Sequence, residues 1–594
     1  LSMVMSRGQQ LNQILVIEPT TSAWMYYSPA EKNEKFEKIA VDFQNFVHLL
    51  EREQIEYDLL SEFILKDHGQ YQGKKLRVGQ RDYDLVVLPP GLENLEQRTV
   101  ELLKSFLESG GKVISWGEKE LLVDGKPSSV LAEFKSSGNF EQLESTSLAG
   151  ENLKAVFSAR LKPAIEFSQL SGEDMLFHQR RQYKDGQILF LANISPTKPA
   201  AGHIKLKGRS LEKWDLMSGQ TSYVQAERKR GWLDLKFNLK PGESLLLAIY
   251  DRKQSEQTSV STRVDYEEAI EEEIKLKPES IRRMDPNVLT LDYCDLILPG
   301  RTARDLYFYE AQRRAFNFHG FDRNPWDSAV QFQDGLVSRN HFPSNSGYSA
   351  QFHFSIRPGV DLNSLQLAVE RPTIFKVEVN GRLLKPEERS WWLDKSIAVY
   401  PLSQAARIGA NTVTIIAKPF DLLAELEPIY VVGNFSLEAA NRGFILSPTR
   451  KLEPGSWKEQ GLPLYGQRVE YQTFFKLSEP QPSADFYLHL PDWLGALAEV
   501  VINGEKAGYI IGRHDYLPLR SKLKTGLNQI SVIIYGTLKN TLGPHHLSPP
   551  AGQAWPAAFQ RAPEGGQPAG SEYNNEDYGL AGEMVIIRLK NKLK

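Results

Sequence analysis

FKVEVNGRLL (375–384) and EVVINGEKAGYI (499–510) decide how the C-terminal half is read. Each places an Asn-Gly pair between two alternating apolar stretches. That is a strong hairpin signal, because both central residues of the favoured turn need positive φ. Downstream, RIGANTVTIIAKP (407–419) matches KTGLNQISVIIYG (524–536), with a Gly-x-Asn turn leading into another alternating strand. The same order of turns and strands occurs twice. It predicts two successive β-sandwiches, over 287–450 and 451–594.

Working upstream, residues 253–286 are polar and charged, and DYEEAIEEEIKLKPE (265–279) reads as an exposed linker or a short solvated helix. Before it, QILFLANIS (187–195), LEKWDLMSG (211–219), WLDLKFNL (233–240) and ESLLLAIY (244–251) predict a small β-sandwich over 161–252. From about residue 165 onward almost no long helical period is read.

The first 160 residues differ. QILVIEP (13–19), YDLVVLPPG (83–91) and KVISWG (112–117) are short buried runs. They alternate with KFEKIAVDFQNFVHLLEREQ (35–54) and EQRTVELLKSFLESGG (96–111), whose apolar residues recur at helical spacing. Strands alternating with helices predict a parallel sheet covered on both faces.

A chain of 594 residues exceeds what one hydrophobic core organises, so several domains are expected. The formal charge of −3, with both signs interspersed, leaves no basic footprint for nucleic acid. No apolar run reaches the roughly 18 residues of a membrane helix. The single cysteine, Cys294, excludes an intrachain disulfide and any multi-cysteine zinc site. The opening LSMVMSRG has neither a signal-peptide pattern nor an initial Met. It reads as the end of an amphipathic element, and a fragment of a longer protein is the expectation. The compartment is left open.

These segments resemble a known group. VEVNG, ARIGANTVTI, DWLGALAEVVINGEKAGY, TGLNQISVIIYGTLKNTLGPHH and EDYGLAGEMVII are similar to the galactose-binding-like jelly rolls of large multidomain glycoside hydrolases, of the α-L-rhamnosidase-like and β-galactosidase-like kinds. LVIEPTTSAW (15–24) and YDLVVLPPG…GGKVISWG (83–117) resemble the flavodoxin-like, class I amidotransferase-like domain of such enzymes. The resemblance implies accessory domains packing on a catalytic barrel, carbohydrate as ligand, and homo-oligomer formation through the α/β domain. It does not imply amidotransferase chemistry, since no cysteine nucleophile follows a strand of residues 1–160. The roughly 250 residues of βα repeats of a glycosidase barrel are also missing from this chain, so no catalytic residue is assigned. Two further readings stay open: a stand-alone carbohydrate-binding or adhesion protein, and a free-standing glycosidase with its site in 290–460.

For that last reading the carboxylates are Asp327 in NPWDSAV and Glu425 and Glu427 in LLAELEPIY. For sugar binding the candidates are Trp391 and Trp392 in RSWWLDKS, Trp493 in LPDWLGA, and His545 and His546 in GTLKNTLGPHHL (536–547), with Trp326 and Trp555 behind them. Adjacent residues on a strand point to opposite faces, so one of Trp391 and Trp392 at most faces a ligand. Trp24 follows the first strand, at the end of the sheet where open α/β folds bind; it reads first as interdomain packing, with a barrel-facing loop as the alternative. His545–His546 reads first as a packing loop, since adjacent histidines diverge and do not converge on one metal. A structural calcium held by oxygens of SEYNNEDYG (571–579) is the one cofactor left open.

Overall fold

The computed structural model describes the chain except residues 29–30, 118–119, 145–147, 149, 163, 196, 217–218, 225, 230, 253–269, 328–332, 479–485, 513–515, 520–521, 548–555, 564 and 590–594. The molecule is multidomain and mostly β, and divides into two compact units, Leu1–Asp265 and Tyr266–Lys594.

In the first unit the apolar runs Ile14–Ile17, Leu85–Leu88 and Lys112–Ser115 pair in parallel. Tyr57–Leu60 and Phe140–Gln142 complete five parallel strands. Across the sheet these lie in the chain order second, first, third, fourth, fifth. Both faces are covered, which is why the strands are continuously apolar. Leu15 and Ile17 share a core with Val100, Leu103 and Phe106 of the helix Gln97–Glu108. Ile14 and Val16 face Phe46 and Leu50 of the helix Glu34–Arg52. Asn33 caps that helix by accepting from the amides of Lys35 and Phe36. The other helix stops at Gly110, whose φ of +89° is left-handed, and the Gly111 amide turns back to the Phe106 carbonyl.

Residues 165–250 form a β-sandwich of a six-stranded and a four-stranded sheet. Its larger sheet also takes in Gln9–Gln10, antiparallel to Leu176–Tyr183, so these N-terminal residues pair with the sandwich. The two domains meet through a buried ion pair. Arg180 donates to both Glu56 carboxylate oxygens, at 2.7 and 2.6 Å.

The second unit contains two β-sandwiches. The first pairs a five-stranded sheet, from Asn287–Leu291 to Trp391–Trp392, with a larger one centred on Tyr348–Ile356 and Gly409–Ala417. The second is built on Arg468–Leu477, Leu497–Ile502, Gly526–Tyr535 and Met584–Leu589. Part of the expected linker 253–286 is ordered β-structure. Ile270–Leu276 pairs with Met584–Leu589, and Ser280–Arg283 pairs with Arg468–Leu477. Ile274, Leu276 and Ile281 pack on the second core while Glu271 and Glu272 lie against Arg588, so the charge is the solvent face of an edge strand. Residues 253–269 lie outside the described residues. One helix was not expected: Phe308–Phe318 buries Phe308, Ala311, Ala315 and Phe316.

The sequence repeat has a structural cause. Asn380 and Asn503 sit at φ +52°, followed by Gly381 at +80° and Gly504 at +83°, as the two-residue hairpin requires. Asn380 donates to the Asn411 side-chain oxygen at 2.9 Å and accepts from the Thr412 amide at 3.0 Å. Asn503 does the same with Asn528 and Gln529, at 2.9 and 3.1 Å. Asn411 closes its own turn on Arg407 and Gly409, and Asn528 closes its turn on Lys524 and Gly526. Each Asn pair thus ties a hairpin turn to the start of the next strand.

Two substitutions separate backbone from side chain. Asn503→Gly keeps the left-handed turn but loses the side-chain bonds, and should cost about 2 kcal/mol. Asn503→Ala should cost about 1 kcal/mol more, for a Cβ in left-handed backbone. Hydrogen exchange of Leu497–Ile502 and Gly526–Tyr535 in the whole chain measures both, and equal losses would reject the left-handed contribution.

Candidate functional site

The carboxylates proposed from sequence, Asp327, Glu425 and Glu427, gather with Glu370, which the sequence reading missed, at one end of the first sandwich of the second unit. The strand Gln366–Glu370 brings Glu370, and the segment before Ile429–Gly433 brings Glu425 and Glu427. Arg371, held at φ +54°, reaches Glu425 at 2.7 Å and lies 3.6 Å from Glu370. Asn324 donates to the other Glu425 oxygen at 2.8 Å. Asp327, in the short turn Pro325–Asp327, accepts from the Tyr309 hydroxyl at 3.2 Å.

The electrostatics are uneven. Burial pushes the Glu427 carboxyl up, and the negative charges of Glu370 and Glu425 push it further, to about 8. Burial also raises Asp327, with Glu425 adding to it, although the Tyr309 hydroxyl opposes the shift. A protonated carboxyl near an ion-paired carboxylate has the ingredients of general acid–base chemistry. The space does not match. The cavity lined by Glu370, Arg371, Glu425 and Glu427 has a volume of about 10 Å³, room for about one water and not for a sugar ring.

A second polar cluster joins the two sandwiches of this unit. Asp292, 2% exposed, lies between the strands Asn287–Leu291 and Tyr293–Leu298. One of its oxygens is 2.7 Å from His546 Nε2, and the other accepts from the Tyr573 hydroxyl at 3.0 Å. The rings of Tyr293, Tyr307 and Tyr573 surround His546 edge-on. His545 turns the other way, with Nδ1 3.2 Å from Asn575 Oδ1, and burial pushes its imidazole down to about 4. The two histidines therefore diverge and pack. The nearby Cys294 thiol is buried and its pKa is raised by that burial, the reverse of an activated nucleophile.

Burial also sorts the sugar-binding candidates. Trp493 is 3% exposed within the second core, and His545 and His546 are buried, so these three present no face to a sugar. Trp392 packs on Tyr430 with centroids 4.8 Å apart, while its neighbour Trp391 is 52% exposed, as strand alternation requires. Trp326 donates to the Leu422 carbonyl. Trp24 is 56% exposed, 5.3 Å from Phe63. Trp555 lies outside the described residues. In 571–579, Asp577 accepts from Ser456 and pairs with Lys458, and Tyr573 is buried on Asp292. Among the described residues no group of three or more His, Cys, Asp or Glu converges as metal ligands do.

No family model matches this sequence, and no curated protein does. Solved structures that the chain resembles include glycoside hydrolases. A rhamnosidase from Novosphingobium sp. PP1Y aligns over 99% of this chain and 40% of its own length, at 12% identity and a TM-score of 0.45. The apo exo-carrageenase from Bacteroides ovatus aligns over 40% of this chain and 29% of its own, at 17% identity and a TM-score of 0.25. The β-galactosidase from Bacillus circulans sp. alkalophilus aligns over 41% of this chain and 42% of its own, at 11% identity and a TM-score of 0.25. The chain thus spans well under two thirds of each of these proteins.

Glu427 predicts a pH dependence. Below its ordinary value near 4.5 the carboxyl is protonated in folded and unfolded chains alike. Between about 4.5 and 8 only the unfolded chain releases the proton, so the Glu427 contribution to stability falls as pH rises. Glu427→Gln removes that loss. In denaturant titrations the variant should match the parent at pH 4 and exceed it by about 1–3 kcal/mol at pH 8.

Proposed function

We propose that this chain is an accessory, non-catalytic region of a glycoside hydrolase acting on polysaccharide or oligosaccharide, with Trp391 as a carbohydrate contact. The observation that carries the reading is the contrast within one sandwich. Its carboxylates enclose a cavity of about 10 Å³, whereas Trp391 on the Trp391–Trp392 strand stands half exposed. An exposed ring next to polar groups suits the apolar face and hydroxyls of a sugar. A closed carboxylate cluster suits packing.

The N-terminal domain fits the same reading. Its strand order, second, first, third, fourth, fifth, supports the flavodoxin-like reading. The only cysteine of the chain is Cys294, so the domain has no thiol for amidotransferase chemistry and its role is structural. Trp24 follows the strand Ile14–Ile17 and Phe63 follows its neighbour Tyr57–Leu60, and this exposed pair is the surface on which a catalytic barrel or a second copy of the domain would dock. Among the described residues the largest parallel sheet has five strands, short of the eight that close a βα barrel.

The second reading, a free-standing glycosidase, draws on the raised Glu427 carboxyl beside Glu425 and Asp327. One assay separates the two. The purified chain is given a panel of nitrophenyl glycosides, α-L-rhamnoside and β-D-galactoside included, and should turn none of them over. Turnover lost in Asp327→Asn or Glu425→Gln would establish the glycosidase instead. In parallel, Trp391→Ala should weaken binding of a polysaccharide digest about tenfold, the ~1.4 kcal/mol expected for one stacked ring.

A further inference from the structure

The small sandwich of the first unit contains a cavity of about 500 Å³, within the roughly 300–1,000 Å³ usual for small-molecule sites. Its apolar wall comes from both sheets. Leu235, Phe237 and Leu239 alternate inward along Trp232–Leu239, and Leu245 and Leu247 do so along Ser244–Tyr250. Between these walls stands a cation. On Ser210–Trp214 the buried core residue Leu211 and Lys213 share one face, and Lys213 lies opposite Leu247 in the register. Lys213 is half-buried, lines the cavity, and among the described residues has no ion-pair partner.

An ammonium at a core-facing position is costly unless an anion meets it. The acids nearby are already engaged. Asp234 lies 3.3 Å from His203 and 3.9 Å from Lys205, and Glu243, which also lines the cavity, accepts from the Lys240 amide at 2.7 Å. Lys236 adds a further positive charge at the rim. The lining is divided: Leu235, Phe237, Leu239, Leu245 and Leu247 offer carbon to a hydrocarbon body, while Gln169, His203 and Asn238 offer polar groups beside Lys213, a pattern that suits an amphipathic ligand.

We propose that this sandwich binds an amphipathic organic carboxylate, its hydrocarbon body between the two sheets and its carboxylate on Lys213. The site is independent of the carbohydrate reading, because it lies in another domain and recognises another chemistry.

The test uses the whole chain at low salt, titrated calorimetrically with decanoate and with decanol, and in a displacement assay against 1-anilinonaphthalene-8-sulfonate. Decanoate should bind saturably at one site per chain, and decanol at least tenfold more weakly. Lys213→Met, which keeps the stem and removes the charge, should cost decanoate about tenfold and leave decanol unchanged. Leu245→Trp, which fills the cavity, should abolish binding of both while leaving binding of the polysaccharide digest at the parental level. Absence of saturable decanoate binding would overturn the proposal. So would decanoate affinity that is unchanged in both variants, since the ligand would then sit elsewhere.

Discussion

A carboxylate taken out of water must find a partner or give up its charge, and this constraint organises both units. In the first unit Glu56 of the α/β domain meets Arg180 of the sandwich in a two-bond fork. Burial alone would raise the Glu56 carboxyl, but the two hydrogen bonds from Arg180, with the His178 ring close by, outweigh it and bring it down to about 2. The ionised form is thereby favoured in the folded state, and that contribution fades only as pH falls from about 4.5 toward 2. In the second unit Asp292 of one sandwich meets His546 and Tyr573 of the other. Neither carboxylate has these partners within its own domain. Each fixes the packing of neighbours more by the penalty for separation than by the strength of attraction.

The same logic at smaller scale explains the repeat. A hairpin turn with two left-handed residues is poorly constrained if its side chains face water. Asn380 and Asn503 remove that freedom by exchanging hydrogen bonds with the start of a strand 31 and 25 residues further on, at Asn411 and Asn528. Asparagine fits because its amide donates and accepts at once while tolerating positive φ. Aspartate would lose the donor, and glycine would lose both.

The legible parts of the sequence were those where local pattern and tertiary environment agree. Asn-Gly between alternating strands announces a hairpin wherever it sits, and LVVL or ILVI announces a strand buried on both faces. The strand Ile270–Leu276 was hidden because an edge strand needs few inward apolar residues, and IEEEIKL supplies only Ile270, Ile274 and Leu276. The helix Phe308–Phe318 was hidden because, of the five residues on its buried face, one is the polar Gln312 and two are the small Ala311 and Ala315. At the candidate site, alternation was enough to separate Trp391 from Trp392. Nothing local marks Trp493 or His546 as buried, because each is enclosed by segments remote in the chain.

Glu425 and Glu427 show where sequence reading ends and geometry begins. They are the same residue type two positions apart, yet one is ion-paired and the other is pushed toward neutrality. The difference is Arg371, whose left-handed backbone turns its guanidinium onto Glu425 and the edge of Glu370. The charge that quiets Glu425 leaves Glu427 with buried surroundings and two negative neighbours. A raised carboxyl therefore arises here without any substrate to select it, from burial and an uneven share of one arginine. Perturbed carboxyls mark catalysis only where an opening admits a reactant, and at Glu427 the surrounding chain leaves space for about one water molecule. Lys213 is the reverse case, a lysine beside a cavity fifty times larger by volume, about 500 against about 10 Å³. Space, rather than the strength of the electrostatic perturbation, is what separates a place that can receive a ligand from one that holds the fold together.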